Sequence, residues 1–242
     1  QPGMHLVGDR VYGRNYGHVF LALPFLWGLE LGSEIADPRV LIAALWSLLL
    51  LALSMTVGME LDQQREFTLL GCSGGLLMFS ANLWVASPLS DQWFPLMALQ
   101  LATMTAAGLI GVVLYRLLTV FHTRRVGTFV GVIATVATPI GFWATVPKRH
   151  VLTTLLVLIV VYGFARSRAG EQTTRYRALS YAAVGMLTWI HAAEALVLFV
   201  VLVPFDVLWA PSNDRRTVGV IGLFFVLSLL PFLLTNFLIS GN

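Results

Sequence analysis

Apolar residues in this chain run in long charge-free stretches, and the polar ones collect in short segments between them. That is the pattern of helices crossing a bilayer, each of which needs about 20 apolar residues to traverse a hydrocarbon core of about 30 Å. Residues 40–59 meet this between Asp37-Pro38-Arg39 and the charged group Glu60, Asp62, Arg65 and Glu66. Residues 67–86 follow and close in the turn-forming Ser87-Pro88-Leu89-Ser90-Asp91. Residues 96–121 are long enough to cross with tilt and end in His122-Thr123-Arg124-Arg125. Residues 126–146 precede Pro147-Lys148-Arg149-His150, and residues 151–165 lead into the most polar stretch, 166–177. Two segments, 178–190 and 195–209, flank His191-Ala192-Ala193-Glu194, and 218–240 is the last. The expectation is an all-α polytopic bundle of about eight spanning helices.

Composition narrows the class further. Of 242 residues, 57% are apolar and 11% charged, where a soluble domain has about 45–50% and about 25%. With a mean hydropathy of +0.81, there is too little polar surface to cover a water-soluble globule. A soluble enzyme, a disordered tail and a nucleic-acid-binding domain are excluded; with Cys72 as the single cysteine, so is a disulfide-built secreted module. Gly71-Cys72-Ser73-Gly74-Gly75 lies inside a span with no Lys-Ser/Thr behind it, so it reads as a helix-packing patch with Cys72 as a packing residue. The chain starts at Gln1, and no basic and apolar leader pattern follows Met4; it stops at Asn242 behind an apolar segment, and the expectation is a fragment lacking a first helix and a C-terminal part.

The few charges then orient the spans, because arginine and lysine stay on the cytoplasmic side. With Arg39 outside, the inner loops hold Arg65, the pair Arg124 and Arg125, the four arginines of 166–177, and Arg215 with Arg216. The outer segments hold Arg10, Arg14, Arg39, Lys148 and Arg149. The inner loops read as basic, solvated connectors. Residues that connectors do not need gather outside: the segment 1–39, Asp91, Lys148-Arg149-His150, and His191 with Glu194.

Residues 8–18 are dense in glycine and in hydrogen-bonding groups and lead into 19–31, which is apolar for only about 13 residues and carries Pro24 and Glu30. Counting it as a span would reverse everything after it, so residues 1–39 are expected as an outer loop with an interfacial helix, and 40–242 as the bundle. In that loop Asp9 is a carboxylate suited to general-base work, and Arg10 and Arg14, with Lys148 and Arg149, suit a phosphate. Gly8-Asp9 reads equally well as a surface turn, and Lys148-Arg149-His150 as charges reaching the headgroups. Against the latter, these are the only basic residues in an outer connector after Arg39. His191 and Glu194, at i and i+3 in an apolar stretch, share a helical face and could pair or both point into a cavity; the plainer readings are a hydrogen-bonded helix–helix contact or an interfacial turn. Asp206 reads as structural, and a His/Glu pair is too small for a metal site. HExxH, P-loop, GxSxG and CxxC motifs are all missing.

This layout resembles the GT-C superfamily of polytopic glycosyltransferases, which includes the protein O-mannosyltransferases and aminoarabinose transferases. An acidic outer segment precedes a span running inward from Val40, as in that family with its first helix removed. Residues 10–18 and 146–151 are also similar to membrane proteins of haloarchaea grouped with these transferases. The resemblance implies a polyprenyl-phosphate sugar donor and an active site on the outer face of the cell membrane. It matches Asp9 to the catalytic loop acid, and Lys148 and Arg149 to the phosphate-binding positions, with Arg10 or Arg14 as further candidates. The family's usual acidic pair is reduced here to Gly8-Asp9. No cofactor is required unless the donor is a diphosphate, which would bring in a divalent metal. The implied partners are membrane lipid, the lipid-linked donor and an acceptor that the sequence does not name. His18, Asp91, His150, His191 and Glu194 complete the candidate set. The alternatives are a transporter or lipid carrier with a His/Glu site inside the membrane, and a non-catalytic scaffold.

Overall fold

The computed structural model describes residues 4–7, 10–13, 16–87, 90–170, 172–209 and 214–240. A short antiparallel pair, β1 (Met4–Val7) and β2 (Arg10–Gly13), sets Val7 opposite Arg10 and precedes a helical chain. The helices are α1 (Gly17–Ile35), α2 (Pro38–Glu60), α3 (Gln64–Val85), α4 (Phe94–Leu118), α5 (Arg124–Val136), α6 (Pro139–Ala144), α7 (Arg149–Arg168), α8 (Thr173–Trp209) and α9 (Arg215–Ser240). Six of them, α2, α3, α4, α7, α8 and α9, are long and apolar enough to cross a membrane. Side chains such as Leu48, Leu76, Leu77 and Leu238 are largely exposed on them, as lipid-facing residues of a membrane protein must be.

Three of the eight expected spans take a different form. Residues 126–146 are not one helix, because Thr138-Pro139 interrupts them: Pro139 has no N–H to continue α5, and the Thr138 hydroxyl caps α6 by accepting from Ile140 N at 3.2 Å. The 13 residues of α5 reach only about 20 Å, short of a bilayer. Gln100 Nε2, near the start of α4, nevertheless donates to Thr145 O at 3.1 Å, so α5 and α6 together return along the length of α4. Glycines set their distance: a Cβ on Gly131 would stand 2.8 Å from Gly111 O.

The segments 178–190 and 195–209 belong to the single element α8, whose backbone is non-helical at His191 (φ −154°, ψ 89°). A straight helix would separate residues 29 apart by about 43 Å. Arg177 Nη2 instead donates to Asp206 Oδ2 at 2.8 Å, a pair 29 residues apart. The element therefore folds back on itself at His191, giving two antiparallel arms, 173–190 and 192–209, of about 27 Å each.

The chain forms two compact units, Ala22–Ala98 and Gln1–Leu21 with Leu99–Asn242. In the first, Arg39 pairs with Asp37 and donates from Nη1 to Ala86 O at 3.2 Å, tying the start of α2 to the end of α3. The Arg39 guanidinium holds the Asp37 carboxyl below its ordinary range. Gly71 and Gly75 are buried against Ser54 and Ser47 of α2, as a small-residue packing patch requires. Cys72 departs from its expected packing role: it is exposed, at the edge of a groove that it lines with Ser47 and Leu51 of α2.

In the second unit, α7, both arms of α8 and α9 surround a core that includes Val160, Val184, Leu202 and Ile221. Asp206 is its charged pin. Its carboxylate accepts from Arg177 Nε and Nη2, from Tyr181 OH at 3.2 Å and from Arg168 Nη2 at 3.3 Å. Gly163 lets α7 approach this hairpin, since a Cβ there would stand 2.7 Å from the Tyr176 carbonyl oxygen.

Asp206→Asn strands two arginines around a neutral amide and is expected to destabilise the protein by about 3–5 kcal/mol. Replacing both buried partners, Arg177→Met with Asp206→Leu, should cost less than the single change. Thermal unfolding in detergent micelles checks both; a single variant no weaker than the double contradicts the assignment. Gly163→Leu should likewise lower the unfolding midpoint by separating α7 from α8.

Candidate functional site

At the end of the second unit away from Asp206, the start of α1, the first half of α4, the α6–α7 junction, the His191 reversal and the last turns of α9 converge. Trp189 is the meeting point. Gly17 packs its bare Cα against Trp189, where an added Cβ would lie 2.8 Å from the carbonyl oxygen, so the helix start needs glycine here. The Phe20 and Trp189 rings stand 5.4 Å apart, and Trp189 Nε1 donates to Thr235 Oγ1 of α9 at 3.1 Å.

His18 is buried beside this contact, with Nε2 3.1 Å from Thr103 Oγ1 of α4. The Thr103 hydroxyl is committed to Leu99 O at 2.7 Å, so the imidazole must be the donor and carry its proton on Nε2. Burial lowers the His18 pKa from its ordinary 6.5, which keeps the ring neutral.

The Lys148-Arg149-His150 group opens α7. Lys148 occupies the N-cap with no side-chain cap, and Arg149 and His150 are the first helical residues. Cations at this positive helix end repel its dipole, whereas an anion here would meet both the free N–H groups and the side chains. Lys148 Nζ lies 4.5 Å from the centre of the Trp143 ring. Ala144 and Val151 on either side of the group share one buried cluster with Ile190, Ala106 and Ala107, which holds it at the same end as His191.

His191 and Glu194 pair at the break in α8, one of the arrangements their spacing allowed. Glu194 N lies 3.4 Å from His191 Nδ1, and His191 Nδ1 lies 3.7 Å from Glu194 Oε1. One nitrogen cannot accept from the amide and donate to the carboxylate together, so the two contacts are alternatives. The His191 ring thus stands over the first turn of the second arm, where Glu194 N meets Nδ1.

Among the expected site residues, this unit brings His18, Lys148, Arg149, His150, His191 and Glu194 to one end. Asp91 lies exposed in the other unit, on the 3-10 turn Asp91–Trp93. Asp9 and Arg14 fall outside the described residues; Arg10 is seen only as backbone in β2. Among the described residues no three His, Cys, Asp or Glu side chains are grouped to hold a metal. No family model, curated protein or solved structure matches this chain. Thr103, Trp189 and Thr235 are the site-forming residues that sequence reasoning missed; the nearest signal was tryptophan two positions before His191.

The sign of the His18 shift makes a pH test. The unfolded chain takes up the proton near pH 6.5 and the folded one resists it, so stability falls as pH drops below about 6.5. His18→Gln should flatten the dependence of the thermal midpoint between about pH 6.5 and 5. An unchanged slope would show that His18 is not the titrating group.

Proposed function

We propose that this chain is a GT-C-type membrane glycosyltransferase, moving a sugar from a polyprenyl-phosphate donor to an acceptor hydroxyl at the outer face of the cell membrane. The observation that carries this reading is the amino end of α7, where Lys148, Arg149 and His150 crowd an uncapped helix start beside Trp143. A donor phosphate would turn that repulsion into attraction, and its charge grows as the sugar leaves, which is when binding counts for catalysis.

In the proposed reaction Asp9 takes the proton of the acceptor hydroxyl, and the freed oxygen attacks the anomeric carbon. The bond from that carbon to the donor phosphate breaks, and the lipid phosphate departs against Lys148 and Arg149. Arg10 and Arg14 are the further phosphate candidates. A divalent metal enters only with a diphosphate donor. The carrier reading is the weaker alternative: His191 and Glu194 sit at the tip of a helical hairpin, whereas a transport site belongs near mid-membrane.

Sugar transfer from a lipid-phosphate donor in membranes tests the assignment. Lys148→Ala and Arg149→Ala should each lower kcat about a hundredfold, and Asp9→Asn should abolish turnover. Full activity in Asp9→Asn and Lys148→Ala together would sink the proposal.

A further inference from the structure

The opposite end of the same unit holds a charge surplus. Arg177 and Arg168 both reach Asp206, two cations on one carboxylate, in a place where the Arg177 and Asp206 side chains are only 4% and 3% exposed. Arg168 is the edge of this network, at 22% exposure. Its guanidinium is fixed on three sides: Nη2 donates to Asp206, Nη1 to Ser167 Oγ at 2.8 Å, and its carbon stands 3.3 Å from the centre of the Phe164 ring. Nε is enclosed with no hydrogen-bond partner. Each Nη carries a second N–H beyond the one already used.

Among the described residues the surroundings are mostly basic. Arg166, Arg175, Arg215 and Arg216 belong to the same helix ends, and Asp214 is the one other acid there among the described residues. Thr174 and Thr217, 3.1 Å apart, join the starts of α8 and α9, so these arginines share one rim. The rim lies at the ends of membrane helices, the depth of lipid headgroups.

We propose that Arg168 binds a phosphate group carried by an anionic lipid headgroup. The phosphate offers acceptor oxygens to the two remaining Nη hydrogens of Arg168, the kind of partner that suits arginine. The lipid is a stoichiometric ligand of this rim, distinct from the diffuse attraction of basic loops to an anionic surface. The site is independent of the transferase reading, which concerns the other end of the unit.

The test uses the protein in nanodiscs of phosphatidylcholine, with and without phosphatidylglycerol. Native mass spectrometry counts retained phosphatidylglycerol, and the thermal midpoint reports stabilisation. One phosphatidylglycerol per chain is expected, with affinity falling about tenfold in Arg168→Gln, the size of effect expected for one lost charged contact. Arg124→Gln, at the exposed start of α5, should leave retention unchanged. Arg168→Gln keeps the Arg177 and Tyr181 bonds to Asp206, and its midpoint in phosphatidylcholine verifies folding; Arg168→Lys, which keeps the charge but not the fork, should fall between it and the parent. Wild-type retention in Arg168→Gln, or equal losses in Arg168→Gln and Arg124→Gln, would overturn the site. A midpoint raised as much by millimolar inorganic phosphate without phosphatidylglycerol would overturn the lipid as its source.

Discussion

A single carboxylate governs how this bundle is wound. Asp206 is removed from water and would be prohibitively costly alone, so the chain must bring donors to it. The two arms of α8 supply them: Arg177 and Tyr181 rise on the first arm, and Asp206 descends on the second. That pairing fixes the register of the hairpin, because a slip of one helical turn would shift the carboxylate about 5.4 Å from its partner. The adjoining end of α7 contributes Arg168, and α9 starts where Thr217 meets Thr174, so the bundle's connectivity converges on the same place.

The other end of the unit is built from weaker, neutral contacts. Trp189 joins α1, α8 and α9 through a ring contact, a hydrogen bond and the close approach that Gly17 permits. His18 and Thr103 add one buried hydrogen bond between neutral groups. The two ends thus differ in physical character: one is locked by charge, the other packed around an aromatic side chain and rimmed by Lys148, Arg149 and His150.

Much of the fold was legible because hydropathy is a local property. Five of the expected spans coincide with helices of membrane length, and the glycine patch at Gly71 and Gly75 faces α2 as small residues in a lipid environment should. The miss at 126–146 has a local cause as well: an average over that window conceals the cap and the missing donor at Thr138-Pro139. Cys72 shows the limit of reading a patch as a unit, since its neighbours Gly71 and Gly75 are buried against α2 while Cys72 stays exposed at the edge of the same groove. The candidate site was legible only in part. Charged residues out of place in an apolar sequence identified Lys148, Arg149, His191 and Glu194, but Thr103 is one hydroxyl among many, and its partner is 85 residues away.

The sequence by itself determined that this is a helical membrane protein and where its scarce charges lie, because the cost of placing each residue in hydrocarbon is nearly independent of its neighbours. It also determined that a break belongs near His191. Only the tertiary structure decided what the break does. Fold-back converts Arg177 and Asp206 from residues 29 apart into a buried pair, sets the His191 ring over the first turn of the second arm, and leaves Arg168 as a surplus cation at the rim. Those outcomes depend on which helix ends meet, and the meeting of distant segments is a property of the packed chain, absent from any local pattern of hydrophobic and polar residues.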